Sequence, residues 1–357
     1  MKKTVHFVHF SAKPGGLEVL LPQIAKQLGN YDFKSFVIRP QGLNELNVYN
    51  ETNIVITYGS NNSVEAILKF ILYVLKNRND IFHLFNAGPF YLFVLKILFV
   101  RRIIYSIHGT IYWKTSFQKL TRKLFWILAN SPHIVFISNS EYSAKVFNEK
   151  ILQSVMVKRI YNPIDLTRFN TDYEKKVTTP ELKIVFVGRL VEGKNLFFWI
   201  EMAEFLMKSG IKAKFNIYGT GDLYDEINKR INNSKFKEKI MLNGHISKVE
   251  EVYKRSDLLL FLSEHESFGS VVIESVLCGV PVITFNIPSM IEIFNEYPEF
   301  LIDKDRNIEE QLLQKISQLD KLKEVANKAS ISFKEKFGTI QHIDQLTEIY
   351  RNLEEEA

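Results

Sequence analysis

The segment Ser263-Glu264-His265-Glu266-Ser267-Phe268-Gly269-Ser270-Val271-Val272-Ile273-Glu274 sets two carboxylates seven residues apart across a glycine-containing turn. An apolar run ends here and a helical pattern begins, so Glu266 falls in the loop and Glu274 on the helix, where both can face one ligand. A carboxylate accepts two hydroxyl hydrogen bonds, which is what the vicinal diol of a ribose or a hexose offers. The amides of Phe268, Gly269 and Ser270, at the positive end of the helix, suit a phosphate. Taken alone, the two glutamates also read as ordinary charge at a helix start. A second segment shifts the balance. In Val187-Gly188-Arg189-Leu190-Val191-Glu192-Gly193-Lys194-Asn195 two cations, Arg189 and Lys194, come after another apolar run. They can neutralise a diphosphate, including the charge that grows on it when it departs as a leaving group. In Tyr218-Gly219-Thr220-Gly221-Asp222 the glycines permit close backbone approach at the end of the next run, a feature shared by strand–turn–helix joints in general.

The elements that must position these residues alternate along most of the chain. Short β-rich runs occur at Val5–Phe10, Asn53–Thr57, Ile81–Phe85, Ile103–Ile107 and His133–Ile137. A second series occurs at Lys183–Val187, Lys214–Tyr218, Lys239–Leu242, Leu258–Leu262 and Val280–Phe285. Near-continuous apolar runs of this length predict strands buried on both faces of a parallel sheet. Leu196–Met207, Leu223–Ile231 and Ser270–Leu277 read as crossover helices. The chain turns polar from Thr167 to Pro180, as a linker between domains does. The expected architecture is therefore α/β. A first doubly wound domain covers 1–165, a linker 166–180, and a second doubly wound domain 181–337. A terminal helix in 338–357 is expected to pack back toward the first domain. Ligands of open α/β sheets bind beyond the carboxyl ends of the strands, which directs attention to the cleft between the two domains.

At 357 residues, with 46% hydrophobic and 24% charged residues, the chain matches a globular protein of two domains and excludes a disordered or fibrous one. A single cysteine excludes a disulfide framework and a multi-cysteine zinc site, and suits a reducing cytosol. MKKTVHFVHFSAKPGG reads as a first strand, against a cleaved signal peptide. The longest apolar stretch, Ala87 to Val100, is interrupted by Lys96 and falls short of the ~20 residues of a transmembrane helix. Through Thr178 there are 23 Lys+Arg against 11 Asp+Glu, a net +12, whereas the remainder carries −6. A basic half points to a polyanionic surface. No nucleic-acid-binding motif accompanies the charge. Trp113, Phe117, Leu120, Leu124, Phe125 and Trp126 are interleaved with Lys114, Lys119, Arg122 and Lys123, a pattern suited to an anionic membrane interface or to a core helix with a lysine-rich outer face.

The runs GRLVEGKN, YGTGDLYDEI and LNGHISKVEEVYKRSDLLLFLSEHESFGSVVIESVLCGVPVI resemble, in order, the retaining glycosyltransferases of family 4, with their Glu-x7-Glu motif. The first domain resembles them through Gly15-Gly16-Leu17-Glu18, His108-Gly109, Ser140-Glu141 and Asn162-Pro163-Ile164-Asp165. The resemblance implies a GT-B fold of two facing Rossmann-like domains. It implies transfer of a hexose or N-acetylhexosamine from a nucleotide-diphosphate sugar, UDP-linked, with retention and without a metal. The acceptor would be a lipid-linked or growing glycan of bacterial surface polysaccharide. In that family's terms Glu266, His108, Arg189 and Lys194 are the catalytic group. Gly15, Gly16, Gly188, Gly219, Asn243, His245, Ile246, Ser267, Phe268, Gly269, Ser270 and Glu274 bind the donor, with Glu274 on the ribose and Asn243 to Ile246 beside the base. No cofactor beyond the nucleotide sugar is implied. The protein is expected in the cytoplasm, peripheral on the inner face of the membrane.

Two features depart from the family pattern. Pro22 removes a hydrogen bond within the expected first helix, and Ser267 stands where a small or apolar residue usually precedes Phe-Gly. A GT-B-fold sugar-nucleotide epimerase and a non-catalytic partner subunit are the alternatives. Retention of Glu266, Glu274, Arg189 and Lys194 together favours transfer. An oxidoreductase is excluded because Ala12-Lys13-Pro14-Gly15-Gly16 is no Gly-x-Gly-x-x-Gly. Asp303-Lys304-Asp305 reads as a surface loop, Cys278 as a buried small residue, and His6, His9 and His83 as packing or cleft-edge residues.

Overall fold

The structure, a computed structural model, describes residues 2–10, 16–40, 54–109, 123, 127–128, 131, 133–151, 155–170 and 181–355. The chain forms two compact units, Met1–Pro163 with Ile340–Ala357, and Ile164–Thr339. Ile164 to Asn170 thus belong to the second unit, ahead of most of the expected linker. Arg168 there pairs with Glu250 at 2.6 Å, and Phe169 is buried against Tyr253.

In the first unit, β1 (Lys3–His9), β2 (Tyr31–Val37), β3 (Val55–Tyr58), β4 (Ile81–Phe85), β5 (Ile103–Ile107), β6 (Ile134–Ser138) and β7 (Val157–Arg159) form a parallel sheet in the order β3-β2-β1-β4-β5-β6-β7. β1 lies between β2 and β4, with Val5 opposite Ile81, so the order reverses between β1 and β4. β4 and β5 are buried along their whole length, as strands covered by helices on both faces must be. One face is covered by α1 (Gly16–Gln27), whose Leu20 and Ile24 share a core with Val5, Phe7, Leu346 and Tyr350. The other is covered by α2 (Ser63–Asn77), α3 (Pro89–Ile97) and α4 (Glu141–Ile151), through Phe70, Val74, Leu92, Leu95 and Phe147. The helix α1 runs on through Pro22, so the expected interruption there is local to one lost hydrogen bond. Asn62 starts α2, its Oδ1 accepting from the amides of Val64 at 2.9 Å and Glu65 at 3.2 Å.

In the second unit, β8 (Leu182–Val187), β9 (Ala213–Tyr218), β10 (Ile240–Gly244), β11 (Leu258–Phe261), β12 (Val282–Phe285) and β13 (Leu301–Ile302) form a parallel sheet ordered β10-β9-β8-β11-β12-β13. The crossovers are α5 (Leu196–Lys208), α6 (Tyr224–Asn232), α7 (Val249–Lys254), α8 (Ser270–Leu277) and α9 (Pro288–Ile293), with α10 (Ile308–Ser317) and α11 (Leu319–Phe337) after the last strand. Trp199 of α5 is fully buried, and its indole N–H donates to the Leu260 carbonyl at 2.9 Å, which fixes α5 over β11. The terminal helix α12 (Thr339–Glu355) buries Leu346, Ile349, Tyr350 and Leu353 in the core of the first unit. Two Rossmann-like parallel-sheet domains are therefore present, as the alternation of runs predicts.

Candidate functional site

The second sheet reverses direction at β8 and β11, and the residues singled out from sequence come directly after those two strands. A chain leaving β8 turns through a 3-10 turn at Glu192–Lys194 before α5, and that turn ends on Asn195 at φ 56°. Lys194 is thereby turned toward the loop after β11, where its ammonium forms an ion pair with Glu266. Both side chains are largely buried, and the ammonium also lies 5.0 Å from the centre of the Phe261 ring. The other oxygen of Glu266 accepts from the Ser267 amide at 3.1 Å, which holds the carboxylate against its own loop.

The turn into α8 depends on two residues. Gly269 sits at φ 80°, a left-handed conformation that favours glycine, and an added Cβ would lie 3.3 Å from Glu266 Cγ and 2.6 Å from Met290 Cε. Phe268 is buried and meets Phe337 edge-on at 5.8 Å, so its ring anchors the loop to α11 and is closed to a ligand. No side chain among the described residues caps α8, and while the Val272 amide donates to the Gly269 carbonyl at 3.1 Å, the Ser270 amide at the positive end of the helix can meet an anion.

Glu274 lies in the second turn of α8 and accepts a hydrogen bond from the Tyr253 hydroxyl at 3.3 Å. Burial pushes its carboxyl up to about 7, against the opposing pull of the Tyr253 hydrogen bond and of Arg168. Hydroxyls of a diol donating to this group favour its ionised form. Tyr253, Arg168 and Glu250 have no motif of their own. They are found only through their contacts to Glu274 and to each other.

The remaining residues of the second unit lie along the same edge of the sheet. Arg189 is exposed at the end of β8. The Gly188 amide donates to Tyr218 O at 3.0 Å, and the Gly219 amide to Gly244 O at 2.7 Å, so the turns after β8, β9 and β10 are stitched side by side. This changes the reading of Gly219. A Cβ there would lie 1.8 Å from the Gly188 carbonyl oxygen, so its space is filled by the neighbouring turn and not left for a ligand. Replacing Gly219 with alanine is expected to destabilise the second unit by about 3 kcal/mol, read by urea unfolding, because one backbone turn must move off another. Near the end of β10 Asn243 is exposed, and just beyond it His245 is exposed and Ile246 half-buried. The Asn243 side-chain amide donates to Asn216 Oδ1 and to Met241 O, both at 3.3 Å.

His108 belongs to the first unit, at the end of β5. Its amide donates to Asn86 Oδ1 at 3.1 Å, and its ring lies 5.5 Å from Phe85. Asn86 itself has φ 48°, an uncommon conformation at the end of the adjacent strand. Beside His108 lies a small, mainly apolar cavity of about 10 Å³, lined by Leu20, Ile24, Ile137 and Leu346 and also reached by His83 and His342. Burial drives the His108 imidazole down to about 3 and that of His342 to about 4. His83 is held between the Tyr350 hydroxyl at 2.8 Å and Ser106 Oγ at 2.5 Å and is also pushed well down by burial. Gly16 opens α1, while Gly15 and most of Ile111–Trp126 lie outside the described residues.

The residues read from sequence as ordinary packing or surface groups are so in the structure. His6 and His9 are buried with side-chain partners, His6 to Asp80 at 2.9 Å and His9 to Ser35 at 2.7 Å. Cys278 is buried and its thiol is pushed up to about 12. Asp303 pairs with Arg306 at 3.1 Å.

Residues 14–168 match the Glycosyltransferase Family 4 domain, and residues 169–335 match the Glycosyl transferases group 1 domain. The chain is 26% identical over 308 residues to an uncharacterized 41.2 kDa protein of the cps region of Klebsiella pneumoniae, covering 79% of this chain and 81% of that protein. It is 26% identical over 230 residues to the capsular polysaccharide biosynthesis glycosyltransferase CapH of Staphylococcus aureus, covering 62% and 60%. Anabaena HepE, solved in complex with UDP-glucose, superposes with a TM-score of 0.80 at 18% identity over 98% of this chain and all of that one. With two Rossmann-like units, each matched by its own glycosyltransferase domain, the chain is a member of the GT-B glycosyltransferase superfamily.

Proposed function

We propose that the protein is a retaining, metal-independent glycosyltransferase. It would move a hexose or N-acetylhexosamine from a UDP-sugar to a lipid-linked or growing glycan during assembly of a bacterial surface polysaccharide. The observation that carries this reading is the Lys194–Glu266 pair at the reversal between β8 and β11, beside the uncapped start of α8. In the ion pair each charge satisfies the other. A donor offers both a better partner, its diphosphate to Lys194 and its sugar hydroxyls to Glu266. Arg189 and the amides of α8 add to the positive potential at the diphosphate. As the bond from the sugar C1 to the diphosphate oxygen breaks, negative charge grows where these donors already point, which is where stabilisation accelerates the step. The acceptor hydroxyl oxygen then bonds C1 on the face the diphosphate leaves, its proton passing to the departing diphosphate oxygen. Glu274 takes the ribose hydroxyls, and His108 is assigned to the sugar.

CapH supports a role in capsular polysaccharide, and the UDP-glucose of HepE supports a UDP-linked donor. The basic first half supports a peripheral attachment to an anionic membrane leaflet on the cytoplasmic side, consistent with the finding that no helix among the described residues is long and apolar enough to cross a membrane. The test is a panel of nucleotide sugars, read as released nucleoside diphosphate, with and without EDTA. Release from one or two UDP-sugars, unchanged by the chelator, is expected because cations and helix amides take the place of a divalent ion. Release abolished by EDTA and restored by Mn²⁺ or Mg²⁺ overturns the metal-independent reading, and no release from any donor overturns the transferase itself.

A further inference from the structure

The helix α2 is apolar on two opposite faces. Ala66, Phe70 and Val74 are buried against the sheet. On the outer face Val64, Leu68, Leu72 and Leu75 recur at i, i+4, i+8 and i+11 and are 68%, 56%, 60% and 51% exposed. A helix covering a sheet needs one apolar stripe, so the outer leucines are not accounted for by folding. The neighbouring helix of the same layer, α3, ends in Phe99, which is 85% exposed. Phe99 has φ 57°, with its amide donating to Lys96 O at 3.1 Å and that of Val100 to Leu95 O at 3.0 Å. This is the left-handed position after a helix, where glycine is the favoured residue and a bulky side chain is strained. A phenylalanine that is strained and out in solvent gains nothing from its own chain.

The charge around this face selects what meets it. From Ser63 to Arg102 there are six Lys and Arg against two acids, Glu65 and Asp80. Glu65 is paired with Lys69 at 2.8 Å and Asp80 is hydrogen-bonded to the buried His6 ring at 2.9 Å, while Lys76, Arg78 and Arg101 carry their charge at the surface. An apolar stripe rimmed by cations matches the boundary between anionic headgroups and acyl chains. A second copy of the chain would set the same cations against each other across a two-fold contact.

We propose that the α2–α3 face of the first unit is the surface that docks on an anionic lipid bilayer, with Leu68, Leu72, Leu75 and Phe99 entering the interface. The proposal rests on the peripheral attachment argued above and names the residues that carry it. The test is co-sedimentation of the full chain with phosphatidylglycerol-containing and with pure phosphatidylcholine vesicles, at low and high salt. Donor hydrolysis without vesicles controls for folding. The parent is expected to bind the anionic vesicles and to be released by salt. Leu68→Ser with Leu72→Ser should lower that partitioning about tenfold while donor hydrolysis persists. Phe99→Gly should lower it severalfold with thermal stability unchanged or raised, since glycine fits the left-handed position. Variants that partition like a binding parent overturn this face and leave peripheral attachment standing. A parent that binds neither vesicle overturns both. A dimer dissolved by the leucine substitutions, without vesicle binding, overturns the lipid assignment in favour of a second copy.

Discussion

Replacing Lys194 with alanine is expected to lower the rate of sugar transfer by about 10²–10³-fold, with the fold intact. The size comes from two losses at one place. The diphosphate loses a charge-assisted partner aimed at the charge that develops as it departs, an effect of that order in other electrostatically assisted acyl and phosphoryl transfers. Glu266, no longer neutralised, then places an uncompensated carboxylate beside an anionic ligand, and the repulsion adds to the loss. The change should fall on kcat and on kcat/KM together if the contact tightens in the transition state. Glu266→Gln keeps the shape and removes the charge, and should be milder in donor binding than in transfer. Because the two side chains share one ion pair, the double substitution should cost less than the sum of the single ones. Additive losses would mean that the pair does not act as a unit in the donor complex, and transfer by Lys194→Ala at the parental rate would remove the site from this turn altogether. The readout is steady-state release of nucleoside diphosphate, alongside circular dichroism to check the fold.

Much of this site is legible before any coordinates, because its residues stand at the ends of strands. The runs that form β8 and β11 are apolar along most of their length, and the loop after each strand of a parallel sheet must emerge at the same edge. Order along the edge is harder. That β8 sits beside β11, which brings Lys194 to Glu266 across 72 residues, depends on sheet order and has no local signature. The same holds for Tyr253 and Arg168 at Glu274, and for His342, which reaches the cavity beside His108 from the last helix. The strand β2 escapes a search for continuous apolar runs because Tyr31–Val37 mixes apolar residues with Asp32, Lys34 and Ser35. Its Ser35 is buried all the same, bonded to His9 on β1. Gly219 reads from sequence as a point of close backbone approach, by a ligand or by another turn, and in the structure its missing side chain makes room for the next turn. A glycine at the end of a strand gives the same sequence signal in both cases. The membrane signal in the sequence is Ile111–Trp126, where aromatics and cations alternate visibly. The leucines of α2 are invisible to that search, since an outward leucine and an inward one differ only in which side of the helix the sheet occupies.

Acidification to about pH 5 is expected to strip the first unit of roughly 4 kcal/mol of stability. The second unit gains on the same titration, because Glu274, held up to about 7 in the folded state, takes up its proton there before it would in the unfolded chain. The cause of the loss in the first unit is the histidine cluster around His108. Burial pushes His108 from 6.5 to about 3 and His342 to about 4, with charge repulsion from His342 adding to the effect at His108, and His83 is pushed well down as well. The sign depends on where the protons go. Above pH 6.5 these imidazoles are neutral whether the unit is folded or not, and the full stability is present. As the pH falls through 6.5, the unfolded chain takes up protons that the folded unit refuses, so unfolding is favoured increasingly until the folded values near 4 and 3 are reached. At pH 5 this amounts to about 2 kcal/mol each for His108 and His342, and His83 acts in the same direction. About 4 kcal/mol is a large fraction of the stability of an ordinary domain. The measurement is urea unfolding at pH 7 and 5, with hydrogen exchange of β4 and β5 reporting on the first unit and of β8 and β11 on the second, because two compact units need not unfold together. His342→Leu, which removes a ring whose Nε2 has no partner among the described residues, should shrink the difference between the two pH values by about 2 kcal/mol, even though the lost bond from Nδ1 to Tyr161 O lowers stability at both. An unchanged difference in that variant would mean that His342 is not among the groups that take up the protons, and equal acid loss in both units would locate the effect outside the cluster.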